Sequence, residues 1–450
     1  MNRREVLFSG GMGLAASVAA PALGRRRGAS RLRVGMIGTG ARGRVHLHEI
    51  LRRDDVDVTA IADIDPYVID AALGQFDAAA KPRPRVFTGD ADAWRAMLVR
   101  GSIDAVFIVT PWEDHKAMAI AAMEAGVAVG CEVVAGISLQ DHWDVLDTQL
   151  RTQTPYMLLE NVCFRRDVMA VLHMVRQNMF GEILHLEGGY QHDLRNVKFN
   201  SGVPGRPYGG GAEFGAAGWS EARWRTDHSV RRNGDLYPSH GIGPCAMWAN
   251  INRGNRFTRL TSFASKARGL HEYVVAMGGA NHPNASVRFA LGDVVTTMIG
   301  CENGETIMLS HDTNSPRPYS LGFRVQGTRG LWMDVNQSLY IEGVSAEPHR
   351  WQGAADMLAA NDHPLWRRYA DRAAGAGHGG MDWFVINAFI EALKAGDPMP
   401  IDIYDAVTWS AITPLSEQSI ANANQTIDFP DFTRGAWRTR EQHFAMGENY

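Results

Sequence analysis

A turn near the start of the chain limits its fold more than any other stretch. In Arg33-Val-Gly-Met-Ile-Gly-Thr-Gly-Ala-Arg-Gly-Arg-Val-His46 a short apolar run ends in Gly38-Thr39-Gly40-Ala41-Arg42-Gly43, a G-x-G-x-x-G spacing. Such a turn joins a parallel strand to the helix after it. The first glycine makes the tight bend, the second lets backbone approach a pyrophosphate, and the third lets helix and strand pack closely. The phosphates then rest on the N–H groups at the positive end of the helix dipole. The context agrees. A helix-like segment runs from Val45 to Arg52, and a second strand-like run, Val56 to Asp63, ends in an acid about 25 residues beyond Gly38. A carboxylate there binds the ribose 2′-OH and repels a 2′-phosphate, which favours NAD over NADP; Arg42 is of the type that accommodates that phosphate.

The chain has 450 residues, 45% hydrophobic and 21% charged, which is enough for two domains and a large core. A net charge of −4 gives no basis for nucleic acid or an anionic membrane as partner. Residues 1–30 read as a targeting segment. Arg3-Arg4 precede an apolar, small-residue stretch from Leu14 to Ala20, and Ala20-Pro-Ala22 suits a signal peptidase. The stretch is too short and too weakly apolar for a stable membrane anchor, and the paired arginines suggest a twin-arginine signal. The expected partner is the twin-arginine export machinery, and the expected location is periplasmic or extracellular. That route carries folded proteins and suits a tightly held cofactor. Cys131, Cys163, Cys245 and Cys301 have no C-x-x-C spacing and sit in apolar runs, so free buried thiols are expected.

Strands alternate with helices up to about residue 161. Helices are expected at Pro66–Gln75, Ala91–Arg100, Met118–Ala125 and Leu139–Arg151, between strands at Arg85–Thr88, Ile103–Thr110, Gly126–Glu132 and Pro155–Asn161. This alternation specifies a Rossmann-type doubly wound parallel sheet, with ligands at the carboxyl ends of its strands. Asp63, the Thr110–His115 segment, Glu132 and Asn161 all fall there. Beyond a helix at Val168–Asn178 the pattern changes. Strands are expected at Ile183–His192, Ala285–Ala290, Val294–Gly300, Glu305–His311, Leu321–Gln326 and Leu331–Val335, with Asn303-Gly304 as a hairpin signal. Helices at Asp382–Ala395 and Tyr404–Asn422 close the pattern. The expected organisation is a targeting segment and linker (1–30), a dinucleotide-binding α/β domain (31–155), an α+β domain with an open, largely antiparallel sheet (156–425) and a tail (426–450).

At this point the chain resembles the glucose–fructose oxidoreductase and inositol dehydrogenase family, which pairs these two domains so that the open sheet covers the nicotinamide. Dehydrogenases of that family carry Glu-Lys-Pro at the end of the strand that here gives Cys131-Glu132-Val133-Val134, and their lysine relays the proton. Val133 cannot do so. Six further stretches are similar to one subgroup, the NAD-dependent glycosidases of glycoside hydrolase family 109, typified by α-N-acetylgalactosaminidase. They are Thr110-Pro-Trp-Glu-Asp-His115, Met157-Leu-Leu-Glu-Asn-Val-Cys163, Met174-Val-Arg-Gln-Asn-Met-Phe-Gly-Glu182, Tyr190-Gln-His-Asp-Leu-Arg195, Leu236-Tyr-Pro-Ser-His-Gly241 and His311-Asp-Thr-Asn-Ser-Pro-Arg-Pro-Tyr319.

The resemblance implies a redox detour in place of the usual carboxylate pair. NAD oxidises C3 of the sugar, the acidified C2 proton is removed, the C1 oxygen leaves, water adds, and the hydride returns. The cofactor ends each cycle as it began and is tightly held. By this resemblance His240 is the acid–base at the C3 hydroxyl, and Tyr190 or Tyr237 takes the C2 proton. Arg225, Pro238, Ser239 and Tyr319 complete the sugar site, a glycan or glycoside its occupant. The cofactor set is Gly38, Gly40, Ala41, Arg42, Gly43, Asp63, Trp112, Glu113, Asp114, His115, Glu132, Val133 and Asn161. By family analogy alone, the resemblance suggests a homodimer through the open sheet. Residues 200–223, with Gly209-Gly-Gly211, are longer than the family norm and lie between two sugar-site motifs, where they would reshape the pocket. No H-E-x-x-H, cysteine pair or G-x-S-x-G occurs, so neither a metal site nor a serine hydrolase is expected. A sugar oxidoreductase using NAD(P) stoichiometrically and a non-catalytic sugar- and dinucleotide-binding protein are the alternatives. The missing lysine argues against the first, the intact tyrosine and histidine motifs against the second.

Overall fold

The computed structural model describes residues 31–450. The targeting segment expected at residues 1–30 lies outside the described residues.

The first sheet contains β1 (Leu32–Ile37), β2 (Val56–Ala62), β3 (Arg85–Phe87), β4 (Ala105–Ile108), β5 (Ala128–Cys131) and β6 (Tyr156–Leu158). Every pairing in it is parallel, in the order β3-β2-β1-β4-β5-β6. All four residues of β4 and of β5 are buried, as strands covered on both faces must be. Helices α1 (Ala41–Leu51), α2 (Pro66–Ala78), α3 (Trp112–Glu124) and α4 (Leu139–Thr152) make the crossovers. The chain reverses direction between β1 and β4, and ligands of doubly wound sheets bind at that switch point.

The second sheet adds β7 (Ile183–Gln191), β8 (Phe257–Ala264), β9 (Val295–Cys301), β10 (Thr306–Asp312), β11 (Arg324–Gly327), β12 (Gly330–Met333), β13 (Ser338–Ile341), β14 (Gln352–Gly353) and β15 (Ile427–Asp428). Its order is β14-β13-β12-β11-β7-β10-β9-β8-β15. Every pairing is antiparallel except β7 with β10, which run parallel with Tyr190 level with His311. The Asn303-Gly304 hairpin joins β9 to β10, Gly304 taking a φ of +102°.

Three expected elements differ. The segment 91–100 forms only a 3-10 turn, Ala93–Met97. The Asp90 carboxylate accepts from the Asp92 amide at 2.7 Å and bends the chain where a helix would start. Residues 285–290 are no strand: Pro283–Ser286 is a 3-10 turn capped by His282, and Ala290 bonds Val230 instead of a ladder. The expected helix 404–422 is two helices, Ile403–Ser410 and Ile412–Ala421, meeting at Ala411. Pro414 explains the break, since it has no N–H for the Ser410 carbonyl and its ring clashes there.

The chain returns to the first domain. In the helix Met381–Ala395, Phe389 packs edge-on against Phe107 of β4 with centroids 5.2 Å apart. The Leu158 amide of β6 donates to the Ile401 carbonyl. The last residues are also part of the core: β15 extends the second sheet, and Phe444 packs on Phe164. The four cysteines are buried and free. Among the described residues no helix is long and apolar enough to cross a membrane.

Candidate active site

A cleft of about 410 Å³ opens at the switch point, with the glycine turn as its floor. Gly38 has a φ of +90°, and a Cβ on it would stand 2.3 Å from the Val109 carbonyl oxygen. A Cβ on Gly43 would meet the Gly38 carbonyl oxygen at 2.1 Å. Gly40 instead has nothing within 4 Å of its Cβ position. It caps α1 with no side-chain hydrogen bond, so the first amides of α1 are left for a ligand. The cradle therefore fits a pyrophosphate. Asp63, at the end of β2, lines the cleft with its carboxylate held by the Thr39 amide (2.6 Å) and the Asp65 amide (3.0 Å). That suits a ribose hydroxyl and opposes a 2′-phosphate.

Arg42 is committed elsewhere. Its Nε donates to Glu132 Oε1 at 2.7 Å and its Nη1 to Asp382 Oδ1 at 2.9 Å. Two of its three nitrogens are therefore engaged by carboxylates. His46 donates to the same Glu132 oxygen (2.5 Å), and the Val133 amide donates to Oε2 (3.1 Å). Asp382 also accepts from Asn161 (2.8 Å) and faces His378 Nδ1 (2.7 Å). Burial disfavours both carboxylates, but Arg42 with His46, and His378 with Arg42, outweigh it and hold Glu132 and Asp382 well below the usual carboxylate range. Burial, reinforced by Arg42, pushes the His46 imidazole down, so it stays neutral. This network joins the glycine turn, the end of β5 and the returning C-terminal helix.

Ala41, Arg42, Trp112, Asp114, Glu132 and Val133 line the cleft together with Gly38, Gly40 and Asp63, whereas Gly43 and Glu113 do not. Asp114 is pushed up by burial beside Glu113. Glu113 itself pairs with His228 at 3.1 Å. His115 and Asn161 are not on the cleft wall. His115 is fully buried behind it, with Nδ1 2.6 Å from the Val134 carbonyl and Nε2 2.8 Å from that of Thr110. Two carbonyl partners favour the doubly protonated, charged ring, which ties β4 to the segment after β5. Burial opposes that charge, but Cys131 and the two carbonyls push the pKa up to about 9. Asn161 is turned to Asp382.

At its other end the cleft meets an aromatic cluster through Trp112, Arg225 and Tyr237. The Arg225 guanidinium lies 5.0 Å from the Trp112 ring and 5.4 Å from the Tyr237 ring, and pairs with Glu221 at 2.6 Å. Tyr237 is 4.7 Å from Tyr190 and 4.9 Å from His240, between ring centroids. His240 also sits edge-on to Tyr190 at 5.2 Å. Close backbone contact sets this spacing. A Cβ on Gly241 would fall 2.3 Å from the Gly189 amide, so the helix Ser239–Trp248 lies directly on β7. His240 Nδ1 donates to Glu160 Oε2 at 2.8 Å, which fixes the tautomer and leaves Nε2 for a substrate. Glu160 is itself fully buried and holds the Val162 amide. Pro238 and Ser239 are buried and serve as the start of that helix. Tyr319 is half-exposed, edge-on to His192 at 4.9 Å.

The Tyr190 hydroxyl is 3.1 Å from His192 Nδ1. Burial pushes the Tyr190 and Tyr237 hydroxyls above the ordinary phenol range, for Tyr237 with help from Glu132; Arg225 works the other way on both. Burial and Arg225 push His192 down. His378 is an exposed imidazole backed by the buried Asp382, close enough for its charge to act on His192. Glu160, His192, His378 and Asp382 went unassigned in the sequence. Glu160 and His192 lie inside the quoted motifs, whereas His378, in Gly377-His-Gly-Gly380, is marked only by its glycines. Among the described residues no group of three or more His, Cys, Asp or Glu is placed to hold a metal ion.

Comparison with known proteins agrees with this geometry. Residues 32–149 match the oxidoreductase family with an NAD-binding Rossmann fold, and residues 164–439 match the glycosyl hydrolase 109 C-terminal domain. A glycosyl hydrolase family 109 protein of Stenotrophomonas maltophilia (strain K279a) is 64% identical over 455 residues, covering 100% of this chain and 99% of that protein. An alpha-N-acetylgalactosaminidase of Tannerella forsythia is 50% identical over 417 residues, covering 92% of this chain and 89% of that one. In fold the chain is similar to levoglucosan dehydrogenase in complex with NADH and levoglucosan, with a TM-score of 0.62 at 18% identity, over 89% of this chain and 100% of the other. An NAD-binding α/β domain joined to this second domain, at these identities over the full length, is shared by one group: the chain belongs to glycoside hydrolase family 109, the NAD-dependent glycosidases.

Proposed function

We propose that the enzyme hydrolyses α-N-acetylgalactosaminides, or glycosides of a closely related sugar, in the compartment beyond the twin-arginine export machinery. The observation that carries the chemistry is the buried Glu160–His240 pair set between Tyr190 and Tyr237 where the cleft ends, with valine at position 133. When bound, NAD supplies the acceptor and the returning donor of a hydride at the sugar's C3. The glycine turn and the amides of α1 hold its pyrophosphate, Asp63 its ribose, and Trp112 and Val133 the end nearest the sugar.

His240 Nε2 takes the proton of the C3 hydroxyl, and Glu160 stabilises the imidazolium that results. A ketone at C3 acidifies the C2 hydrogen. Tyr190 or Tyr237 removes that proton; Tyr190 has the better outlet, because its own proton can pass to His192 at 3.1 Å. His378, backed by Asp382, supplies a proton to the leaving oxygen at C1. Water then adds at C1, a proton returns to C2, and His240 gives back the proton of the C3 hydroxyl. Arg225 fixes sugar oxygens, with its charge balanced by Glu221. Support for the substrate comes from the Tannerella forsythia relative.

The test is incubation of the purified enzyme with p-nitrophenyl α-N-acetylgalactosaminide in D₂O without added NAD. The expected result is nitrophenol release with deuterium at C2 of the product. Release without C2 deuterium sinks the elimination route, and net NADH accumulation marks a stoichiometric oxidoreductase.

A further inference from the structure

Residues 200–223 meet the sugar cluster at Glu221, which pairs with Arg225. They cross from the second domain to the far end of the dinucleotide cleft, where Trp219, Ser220, Glu221 and Arg223 form one wall. Asp63, Asp65 and Val68 form the wall opposite. The two walls are joined. Trp219 is buried, its indole Nε1 donates to Asp65 Oδ2 at 3.2 Å, and its ring stands edge-on to Tyr67 at 5.4 Å. Arg223 approaches the same Asp65 oxygen at 3.6 Å. Gly205 packs so close to Tyr67 that a Cβ on it would stand 2.3 Å from the phenol oxygen. Asp65 has a second duty: its Oδ1 accepts from the Tyr67 amide and caps α2.

The segment is also built to hold its shape. Asn200 is fully buried and spends all its capacity inside it. Its Oδ1 accepts from the amides of Gly202 (2.9 Å) and Trp219 (3.1 Å), and its Nδ2 donates to the carbonyls of Pro207 (3.1 Å) and Trp219 (2.7 Å). Asn200 and Glu213 exchange two backbone hydrogen bonds. One side-chain amide thus ties both ends of the segment to its middle, and the indole that reaches Asp65 is carried on that frame.

We propose that residues 200–223 form a strap that retains the dinucleotide, with the Trp219–Asp65 contact as its latch. The inference rests on the reading of the cleft as the NAD site. A dinucleotide lying between the two walls leaves only when the indole parts from Asp65. Retention serves a reaction that returns its cofactor to the starting state each turn, because every escape costs a cycle. Two segments then share the work: the glycine turn binds, and the strap sets the rate of release.

The test measures release directly. The enzyme is isolated from cells fed radiolabelled nicotinate, freed of unbound label, and chased with excess unlabelled NAD. Trp219→Phe keeps a ring against Tyr67 and removes the N–H. Asp65→Asn keeps the Oδ1 cap of α2 and removes the acceptor for the indole. Each is expected to release label about fivefold to tenfold faster, the effect of one hydrogen bond of typical net strength. Trp219→Ala loses ring and N–H together and is expected to release it about 100-fold faster. Release at the wild-type rate from Trp219→Phe and Asp65→Asn, with unchanged circular dichroism, overturns the latch whether or not the alanine variant folds. A wild-type enzyme that loses its label as fast as it is mixed overturns retention by the strap. A wild-type enzyme that neither copurifies with nor binds NAD overturns the cofactor reading beneath it.

Discussion

Glu160 is the residue whose role depends most on its neighbours. It is a fully buried carboxylate, and it meets His240 at 2.8 Å. Removing its charge while keeping its shape isolates the support it gives the imidazolium. Glu160→Gln is therefore expected to lower kcat by roughly 100-fold, within the range of general acid–base catalysis, while KM and the bound NAD stay near wild type. Equal losses of kcat and of retained NAD would make Glu160 a packing residue only. Asp235 lies two residues before Tyr237 and accepts from its amide at 3.2 Å. Burial pushes its carboxyl up to about 7. A carboxyl raised on folding binds protons more tightly in the native state, so its stabilising effect is complete below about pH 4 and is lost as pH rises toward 7. Asp235→Asn keeps the acceptor and has no charge to bury. Thermal unfolding is expected to show it more stable than wild type by on the order of 2 kcal/mol at pH 8, with the difference vanishing near pH 4. At this scale the sequence offers residue types without partners. Glu160 sat inside a recognised motif, yet nothing in its spacing linked it to a histidine 80 positions away.

Among the elements, the helix Ser239–Trp248 and strand β7 matter most for the site. Gly188, Gly189 and Gly241 let the two backbones touch, and that contact sets the position of His240 against Tyr190. A methyl group there must push the helix outward. Gly241→Ala is expected to cost about 1–3 kcal/mol in denaturant unfolding, as overpacking does, and to lower kcat more than it raises KM. A variant of normal stability and activity would show that the helix shifts without consequence. The short strands of the first sheet were legible because two-sided burial leaves continuous apolar runs. The strands β8 and β13 and the helices Gly269–Gly278 and Pro364–Ala373 were not expected, because each has mixed polar and apolar residues and takes its form from the layer it packs on. Pro414 shows the converse, a local rule that a periodic pattern hid.

In the molecule as a whole, the chain's last hundred residues bind the two domains together. Phe444 and Ala445 are fully buried, Arg176 donates to both of their carbonyls, and the Tyr450 ring stacks with Tyr369. Phe444 also packs on Phe164, four residues after Glu160. Deleting residues 441–450 is expected to destabilise the enzyme by at least about 3 kcal/mol, the cost of losing a buried phenylalanine, and thermal unfolding with cofactor bound measures it. An unchanged melting temperature would make the terminus an ornament of the fold. The sequence by itself determined the nucleotide turn, the parallel sheet behind it, the carboxylate that selects NAD, and the absence of a relay lysine at Val133. Those features are local: a turn, an apolar run and a residue at a strand's end carry their chemistry in a few neighbouring positions. Only the tertiary structure decided that Arg42 answers Glu132 and Asp382, and that His115 is a buried strut. It alone decided that His378 pairs with Asp382 and that residues 200–223 line the cleft through Trp219, Ser220, Glu221 and Arg223. Each of those outcomes depends on partners brought together from distant parts of the chain, by packing whose free energy is spread over the whole core.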